Sequence, residues 1–445
     1  MQMNEGEQYD VVIVGGGVSG TALFYLLRTY TNVGNIALFD KYGGFGQANS
    51  HPKNNSQTLH FGDIETNYTL EKARKVKAAS DLVATYCDKY GDDGLFKIYP
   101  KMVLAVGQDE VDALKVRYEE FKELFPALHP IEKDEIAEIE PKVVEGRDPD
   151  VPLFALHSTE GYTVDYARLA ADMMKRGQAA RDSQADVFLN TCVDSTRKTG
   201  EGFELDTSRG KIRARVVVYA TGAHSLTFAK ELGYGDNLII LPVAGSFFHT
   251  PSVLNGKVYT LQLKKLPFAA AHGDPDLCRG DRSRFGPTAK VLPMLERGQW
   301  KTIPSFFKLF DLKLTSLMAI GTIMMDATYI KFIARNILYD LPFIGRFFFL
   351  PNIQKIVPTV KAMDVMPLKD AKGIRPQIVN RSTRQVSLGE SRIVGDKIIF
   401  NITPSPGAST CLKNGEHDMR DIIRFFGSEF KIDNESFNAD FPIRV

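Results

Sequence analysis

Val11-Val12-Ile13-Val14-Gly15-Gly16-Gly17-Val18-Ser19-Gly20 is a β-branched apolar run that ends in a cluster of glycines. Four such residues before a turn read as a buried strand. The glycines satisfy G-x-G-x-x-G: Gly15 permits the tight turn, Gly17 lets backbone approach a pyrophosphate, and Gly20 lets the next helix pack closely on the strand. Ser19 to Thr29 follows as a helix with Ala22, Leu23, Leu26 and Leu27 on one face, and Asn35 to Phe39 reads as a second parallel strand. Asp40 lies 20 residues beyond Gly20, where a carboxylate accepts ribose hydroxyls. The amides of Val18 and Ser19 open the helix toward the phosphate charge, and Lys41 is a further candidate contact. Strand, helix, strand in this order opens a doubly wound α/β fold that binds a dinucleotide.

A chain of 445 residues, 44% hydrophobic and 24% charged, supports a large core and more than one domain. The net charge of +1 supplies no field for a polyanion, so nucleic acid is not an expected partner. Cys87, Cys192, Cys278 and Cys411 form no CxxC pair, so neither zinc nor an iron–sulfur cluster is expected, and a reducing compartment fits. Met1 to Asp10 is polar and acidic, unlike a secretory signal. Leu314 to Met325, the longest uncharged stretch after Trp300, has 12 residues and is too short to span a bilayer, so no transmembrane helix is expected.

From Thr69 to Glu140 the pattern turns charged and helical, as in Leu70 to Tyr86 and Val111 to Leu124, and reads as an insertion. Strand signals return at Ala185 to Val193, Gly202 to Asp206 and Arg215 to Ala220, and the turn Ala220-Thr221-Gly222 suggests renewed contact with the cofactor. A third block runs from Pro242 to Asp370, before Ile393 to Ile402 and a final helix. The expected architecture is α/β with two domains. Residues 1–75, 150–241 and 371–445 form a discontinuous cofactor domain; 76–149 and 242–370 form a mixed-sheet substrate domain, with 300–351 as an apolar, basic helical insertion facing a membrane. A fingerprint followed much later by Ala220-Thr221-Gly222 resembles the two-part FAD domain of the amino-acid oxidase and glycine oxidase superfamily. That resemblance implies FAD rather than NAD, with Val193 beside the adenine and Ala220 to Gly222 along the pyrophosphate.

Lys53-Asn54-Asn55-Ser56-Gln57-Thr58-Leu59-His60, followed by Glu65-Thr66-Asn67-Tyr68-Thr69, resembles malate:quinone oxidoreductases, in which an Asn-Asn pair, a His and an Asn-Tyr-Thr occur in this order. Ser405-Pro406-Gly407-Ala408-Ser409-Thr410 is similar to that family's closing flavin loop. Gly161-Tyr162-Thr163-Val164-Asp165-Tyr166 and Gly373-Ile374-Arg375-Pro376-Gln377 match two further stretches. One departure is Gln57-Thr58-Leu59-His60, where the family has Gly-Thr-Gly-His. The resemblance implies FAD-dependent oxidation of malate to oxaloacetate, by hydride transfer to flavin and onward transfer to a membrane quinone. It places the protein peripherally on the cytoplasmic face of the inner membrane. It also implies flavin contacts from Asn55 and Ser56. Gly407, Ala408, Ser409 and Thr410 would offer helix N-terminal amides to the reduced ring. Alternatives are a 2-hydroxyglutarate dehydrogenase, whose Asn-Ser-x-x-x-His pattern fits Asn55 to His60, an amino-acid or amine oxidase, and a non-catalytic dinucleotide-binding protein.

Oxidising a 2-hydroxy acid needs a base for the hydroxyl proton and cations for the carboxylates. His272, read as lying in a loop beside the strand-like Arg284 to Pro287, is one candidate base, and His60 is its rival; the two also suit a shared proton path. Arg375 is the candidate for a substrate carboxylate through a two-bond fork, and Arg284 for a second, unless strand alternation turns it outward. From Trp300 to Pro351, phenylalanines alternate with Lys301, Lys308, Lys313, Lys331, Arg335 and Arg346, the balance of a helical surface lying on an anionic bilayer.

Overall fold

The computed structural model describes residues 6–181, 185–262, 270–310, 316, 318, 321, 327–368, 373–387, 391–403 and 407–444. Its first strand, Gln8–Val14, pairs in parallel with Ile36–Phe39 on one side and Gly210–Tyr219 on the other. The full order of this sheet is Ser391–Val394, Ile398–Ile402, Gly210–Tyr219, Gln8–Val14, Ile36–Phe39, Ala185–Phe188, with the hairpin Val193–Lys198 and Phe203–Thr207 attached through the third of these. Val11 and Ile13 enter one apolar cluster, while Val12 and Val14 enter another on the opposite face. Burial on both faces is why this strand reads as an unbroken β-branched run. The helix Val18–Tyr30 packs on one face with Tyr166–Ala179 and Cys411–Phe426.

A second eight-stranded sheet runs Met366–Pro367, Phe248–Pro251, Arg279–Gly286, His272–Asp276, Lys257–Thr260, Phe96–Val106, Leu153–Val164, His129–Glu132. All its pairs are antiparallel except Lys257–Thr260 with Phe96–Val106. A third, smaller sheet carries Leu238–Ala244 beside Ile374–Asn380.

Several sequence expectations are corrected here. The stretch read as a helical insertion contains Phe96–Val106, a strand inside the second sheet; Pro100 and two lysines hid its alternation. Residues 150–179 divide, the strand Leu153–Val164 joining the second sheet and the helix Tyr166–Ala179 the first. His272 is the first residue of the strand His272–Asp276 and not part of a loop. Asp274-Pro275 suggested a turn, but a bulge between Pro275 and Asp276 accommodates the proline within the ladder. Ile393 to Ile402 is a hairpin, Ser391–Val394 with Ile398–Ile402, turned at a left-handed Lys397 (φ 58°). Ala185 to Val193 breaks at Asn190, also left-handed (φ 50°), so Val193 begins a separate strand. Among the described residues no helix is long and apolar enough to cross a membrane. Ser405, Pro406, Lys313 and most of Leu314 to Met325 lie outside the described residues.

Candidate active site

Gly15 and Gly20 of the glycine loop have no room for side chains. Gly15 has φ 113°, and a Cβ there would sit 2.4 Å from the Ala220 carbonyl oxygen; one on Gly20 would sit 1.9 Å from that of Gly15. Ala220 N–H donates to Val14 at 2.8 Å, so the Ala220-Thr221-Gly222 turn lies directly against the loop. Gly222 is left-handed (φ 59°), and its nearest neighbour across open space is Asn49. Asp40 accepts from the Gly16 amide at 2.6 Å and from Tyr42 at 2.7 Å. Burial pushes its carboxyl up to about 6, against the pull of the Gly16 bond and Lys41. Lys41 itself pairs with Glu296. Thr191 N–H donates to the Asp40 carbonyl at 2.8 Å, which sets the turn before Val193 beside Asp40. The N-cap of the first helix, Gly17, offers no side-chain cap, and Val18 N–H instead donates to Ser50 at 3.0 Å. Ser19 sits half-buried in that first turn. A side-chain-free cradle, a helix N-terminus facing it and a carboxylate at the next strand end fit an FAD pyrophosphate and ribose.

Residues 49–60 connect this cradle to everything else in the site. Asn49 Oδ1 accepts the Ile374 amide at 3.0 Å, and Gly373 lies against Asn54, so the Arg375 strand abuts the segment. Arg284 turns inward and donates to the carbonyls of Pro52 at 3.3 Å and Asn55 at 2.8 Å, with its guanidinium 4.3 Å over the Phe247 ring. Asn55 is turned into its own loop, donating to Asn49 and His51 and accepting from Gln57. Gln57 is left-handed (φ 59°) where the family pattern has glycine. Its amide is held by Pro52, Asp276 and the Leu277 N–H, and these bonds offset a conformation that costs a non-glycine residue about 1–2 kcal/mol. Ser56 Oγ lies 3.3 Å from His60 Nε2.

His60 stands where the closing loop meets this segment. Its amide donates to Ser409 Oγ at 3.0 Å, and its Nδ1 meets the buried Glu65 carboxylate. Ser409 also lies 3.4 Å from the Tyr166 hydroxyl, and Thr410 caps the helix Cys411–Phe426 without a side-chain cap bond. Gly407 and Ala408 precede it, with Ala408 packed against the main apolar cluster. This amide-bearing N-terminus carries no acidic residue in its first turn, so it is open to negative charge.

The second sheet contributes a buried polar face. His272 stacks on Tyr259 at 4.6 Å; its Nδ1 lies 3.2 Å from the Ala270 carbonyl and its Nε2 3.1 Å from Asp274. Burial would raise the Asp274 carboxyl, but His272, Lys257 and Arg284 together hold it below the usual range. The Tyr259 hydroxyl bonds Asp274 at 3.2 Å and Thr58 at 2.8 Å, and Lys257 donates to Thr58 at 2.9 Å. Burial pushes Lys257 down to about 8. Arg375, on the third sheet beside Gly245, has no hydrogen-bond or ion-pair partner among the described residues, and burial alone pushes it down to about 10.

Residues 10–310 match the FAD dependent oxidoreductase family model. A probable malate:quinone oxidoreductase of Campylobacter jejuni is 42% identical, covering 97% of this chain and 98% of the relative. The malate:quinone oxidoreductase of Helicobacter pylori is 37% identical, covering 96% of each. The chain belongs to the malate:quinone oxidoreductase family. It is therefore an FAD-dependent oxidoreductase. Among solved structures, L-α-glycerophosphate oxidase from Mycoplasma pneumoniae with FAD bound aligns with a TM-score of 0.65 at 17% identity, covering 96% of each chain. Glycine oxidase from Geobacillus kaustophilus aligns with a TM-score of 0.64 at 18% identity, covering 98% of this chain and 99% of that one. These two share the fold.

The structure thus gathers His60, Ser409, Ser56 and Arg284 around one loop, with Arg375 on an adjoining strand and His272 on the facing sheet. Ser50, Glu65, Tyr259, Lys257 and Asp274 escaped the sequence reading. Glu65 lay in a motif read for its family resemblance and Asp274 two residues beyond His272, but no spacing rule links a lone serine or lysine to partners about 30 to 200 residues away.

Proposed function

We propose that the protein oxidises malate to oxaloacetate and passes the electrons to a membrane quinone, attached peripherally to the cytoplasmic face of the inner membrane. When bound in the glycine cradle, FAD supplies the hydride acceptor for C2 of the substrate. His60 takes the hydroxyl proton on Nε2, and the Arg375 guanidinium, which has no counter-ion among the described residues, receives a carboxylate by a two-bond fork. The observation that carries this reading is the placement of His60. Its Nδ1 is committed to Glu65 and its amide to the flavin-loop Ser409, while Nε2 meets only the Ser56 hydroxyl among the described residues.

This assignment exchanges the roles of the two histidines. His272 is 1% exposed, with Nδ1 3.2 Å from the Ala270 carbonyl and Nε2 3.1 Å from the Asp274 carboxylate, so both ring nitrogens face groups of the protein itself and the ring is less open to a substrate hydroxyl than the half-buried His60. Arg284, bonded to two loop carbonyls, is read as holding the segment that carries His60. Anaerobic flavin reduction by malate tests the proposal. His60→Gln is expected to keep its FAD and to slow reduction by about 10²-fold or more, as loss of a general base does, while His272→Gln slows it less. The reverse ranking would return the base to His272, and a wild-type flavin that another 2-hydroxy acid reduces but malate does not would overturn the substrate.

A further inference from the structure

We infer that Glu65 is the positioning residue that holds His60 in the tautomer with its lone pair on Nε2, and that Arg117 builds the turn which presents Glu65. The inference rests on His60 being the base. Glu65 is 5% exposed, and one of its oxygens faces His60 Nδ1. An ionised carboxylate only accepts hydrogen bonds, so the Nδ1 it faces must carry the hydrogen, and the unprotonated nitrogen of the neutral ring is then Nε2. Glu65 remains ionised although buried: desolvation alone would raise its carboxyl, but His60 and Lys101 together hold it below the ordinary range. Lys101 is in turn paired with Asp63 at 2.6 Å, and both are buried. The other charged or titratable groups that feel Glu65 are Lys72, Arg117 and Tyr259.

A carboxylate sets a tautomer only if it cannot swing away, and the loop around Glu65 has no regular structure of its own. Arg117 supplies the missing framework. From the helix Gln108–Phe121 its guanidinium reaches across to four carbonyls of that turn, Gly62 at 3.3 Å, Glu65 at 2.9 Å, Thr66 at 3.5 Å and Tyr68 at 3.3 Å. It lies 3.7 Å over the Phe121 ring and is buried. Four acceptors on one planar fork fix the turn in a way a lysine cannot reproduce. On the other side, Ser80 donates to the His60 carbonyl, so both members of the pair are tied through their backbones. During turnover the proton leaves the substrate hydroxyl for Nε2 while Nδ1–H stays with Glu65; the pair then carries a cation beside an anion, and no further co-reactant is required.

The holoenzyme with bound FAD tests this directly. In Glu65→Gln the amide presents a donor as readily as an acceptor, so flavin reduction by malate is expected to fall by about 10²-fold while FAD content and the dissociation constant for malate stay within about threefold. The rising limb of the pH–rate profile should move to lower pH, because the imidazolium has lost its anion. Glu65→Asp should recover part of the rate and restore the limb. Arg117→Lys should lower the rate without moving the limb. A ¹⁵N spectrum of the wild type, with the His60 resonance identified by its loss in His60→Gln, should show Nδ1 protonated and Nε2 bare. Wild-type rate and limb in Glu65→Gln, or a proton on Nε2 in the resting enzyme, would overturn the inference. If His60→Gln itself reduces its flavin normally, the base assignment has failed instead, whereas a slow His60→Gln beside a normal Glu65→Gln rejects Glu65 alone.

Discussion

Arg375 and Asp40 show how a single residue's environment sets what it does. A half-buried guanidinium with no anionic partner among the described residues is an unfavourable arrangement that a bound carboxylate relieves. Arg375→Lys preserves charge but not the fork, and hydrogen bonds to charged groups contribute about 2 kcal/mol, so kcat/KM for malate should fall by about 30-fold. Steady-state kinetics with unchanged kcat/KM would remove Arg375 from the site. Asp40 makes the opposite kind of statement. Its carboxyl is raised by burial to about 6 from an ordinary value of 3.8. The folded apo-protein therefore binds more protons than the unfolded chain between about pH 4 and 6, and Asp40 costs stability progressively as pH rises through that window. Ribose hydroxyls donate to the ionised form, so FAD affinity should run the other way and weaken as pH falls through about 6. Titrating FAD at pH 5 and pH 7.5 should show tighter binding at the higher pH in the wild type and no such slope in Asp40→Asn. An equal slope in both would assign the effect elsewhere.

At the level of elements, legibility followed the range of the forces that shape each one. Val11 to Gly20 was readable because a doubly buried parallel strand and a glycine turn are local in sequence, and the helix Val18–Tyr30 extends the predicted one by a residue at each end. Phe96–Val106 was not readable, because Lys101 occupies an inward position that only Asp63 and the facing strand make tolerable. His272 looked like a turn residue for the same reason: the bulge that admits Pro275 belongs to the partner strand as much as to its own. The loop of residues 49–60 was recognisable through its resemblance to the family, and the structure explains the first of its two glycine replacements. Gln57 adopts a glycine-like conformation and anchors it with side-chain bonds to Pro52, Asp276 and Leu277. Those partners lie up to 220 residues away, so no local pattern in the sequence announces them.

At the scale of the whole molecule, many of the exposed large apolar side chains among the described residues fall in the stretch 300–348. Trp300 is 73% exposed and Phe343 91%, and Phe307, Ile330, Ile337, Phe347 and Phe348 are exposed with them, while Lys301, Lys331 and Arg335 stand exposed nearby. Phe306, Leu309, Phe349 and Ile353 are buried, so the helices Ile303–Phe310 and Gly345–Ile356 are anchored in the protein by one face and leave the other bare. Phe343 adopts a left-handed conformation (φ 66°), one that a bulky residue reaches only at a cost, in the turn between Ala327–Tyr339 and Gly345–Ile356. An aromatic held outward in this way gains nothing within the chain, but each phenylalanine transferred into an acyl layer contributes about 1.5–3 kcal/mol, and each base near anionic headgroups about 1 kcal/mol. Phe343→Ser with Phe347→Ser should therefore lower the partition onto anionic vesicles by about 10²-fold or more. Flavin reduction by malate and transfer to a water-soluble acceptor should be unchanged, because both side chains stand exposed to solvent, whereas reduction of a quinone dissolved in the vesicles should fall with the binding. Vesicle sedimentation and the two acceptor assays on the same preparation separate these terms. A variant that sediments like wild type would assign the exposed aromatics to a contact between protein molecules, and a loss of malate-dependent flavin reduction would show that this surface supports the site rather than the membrane.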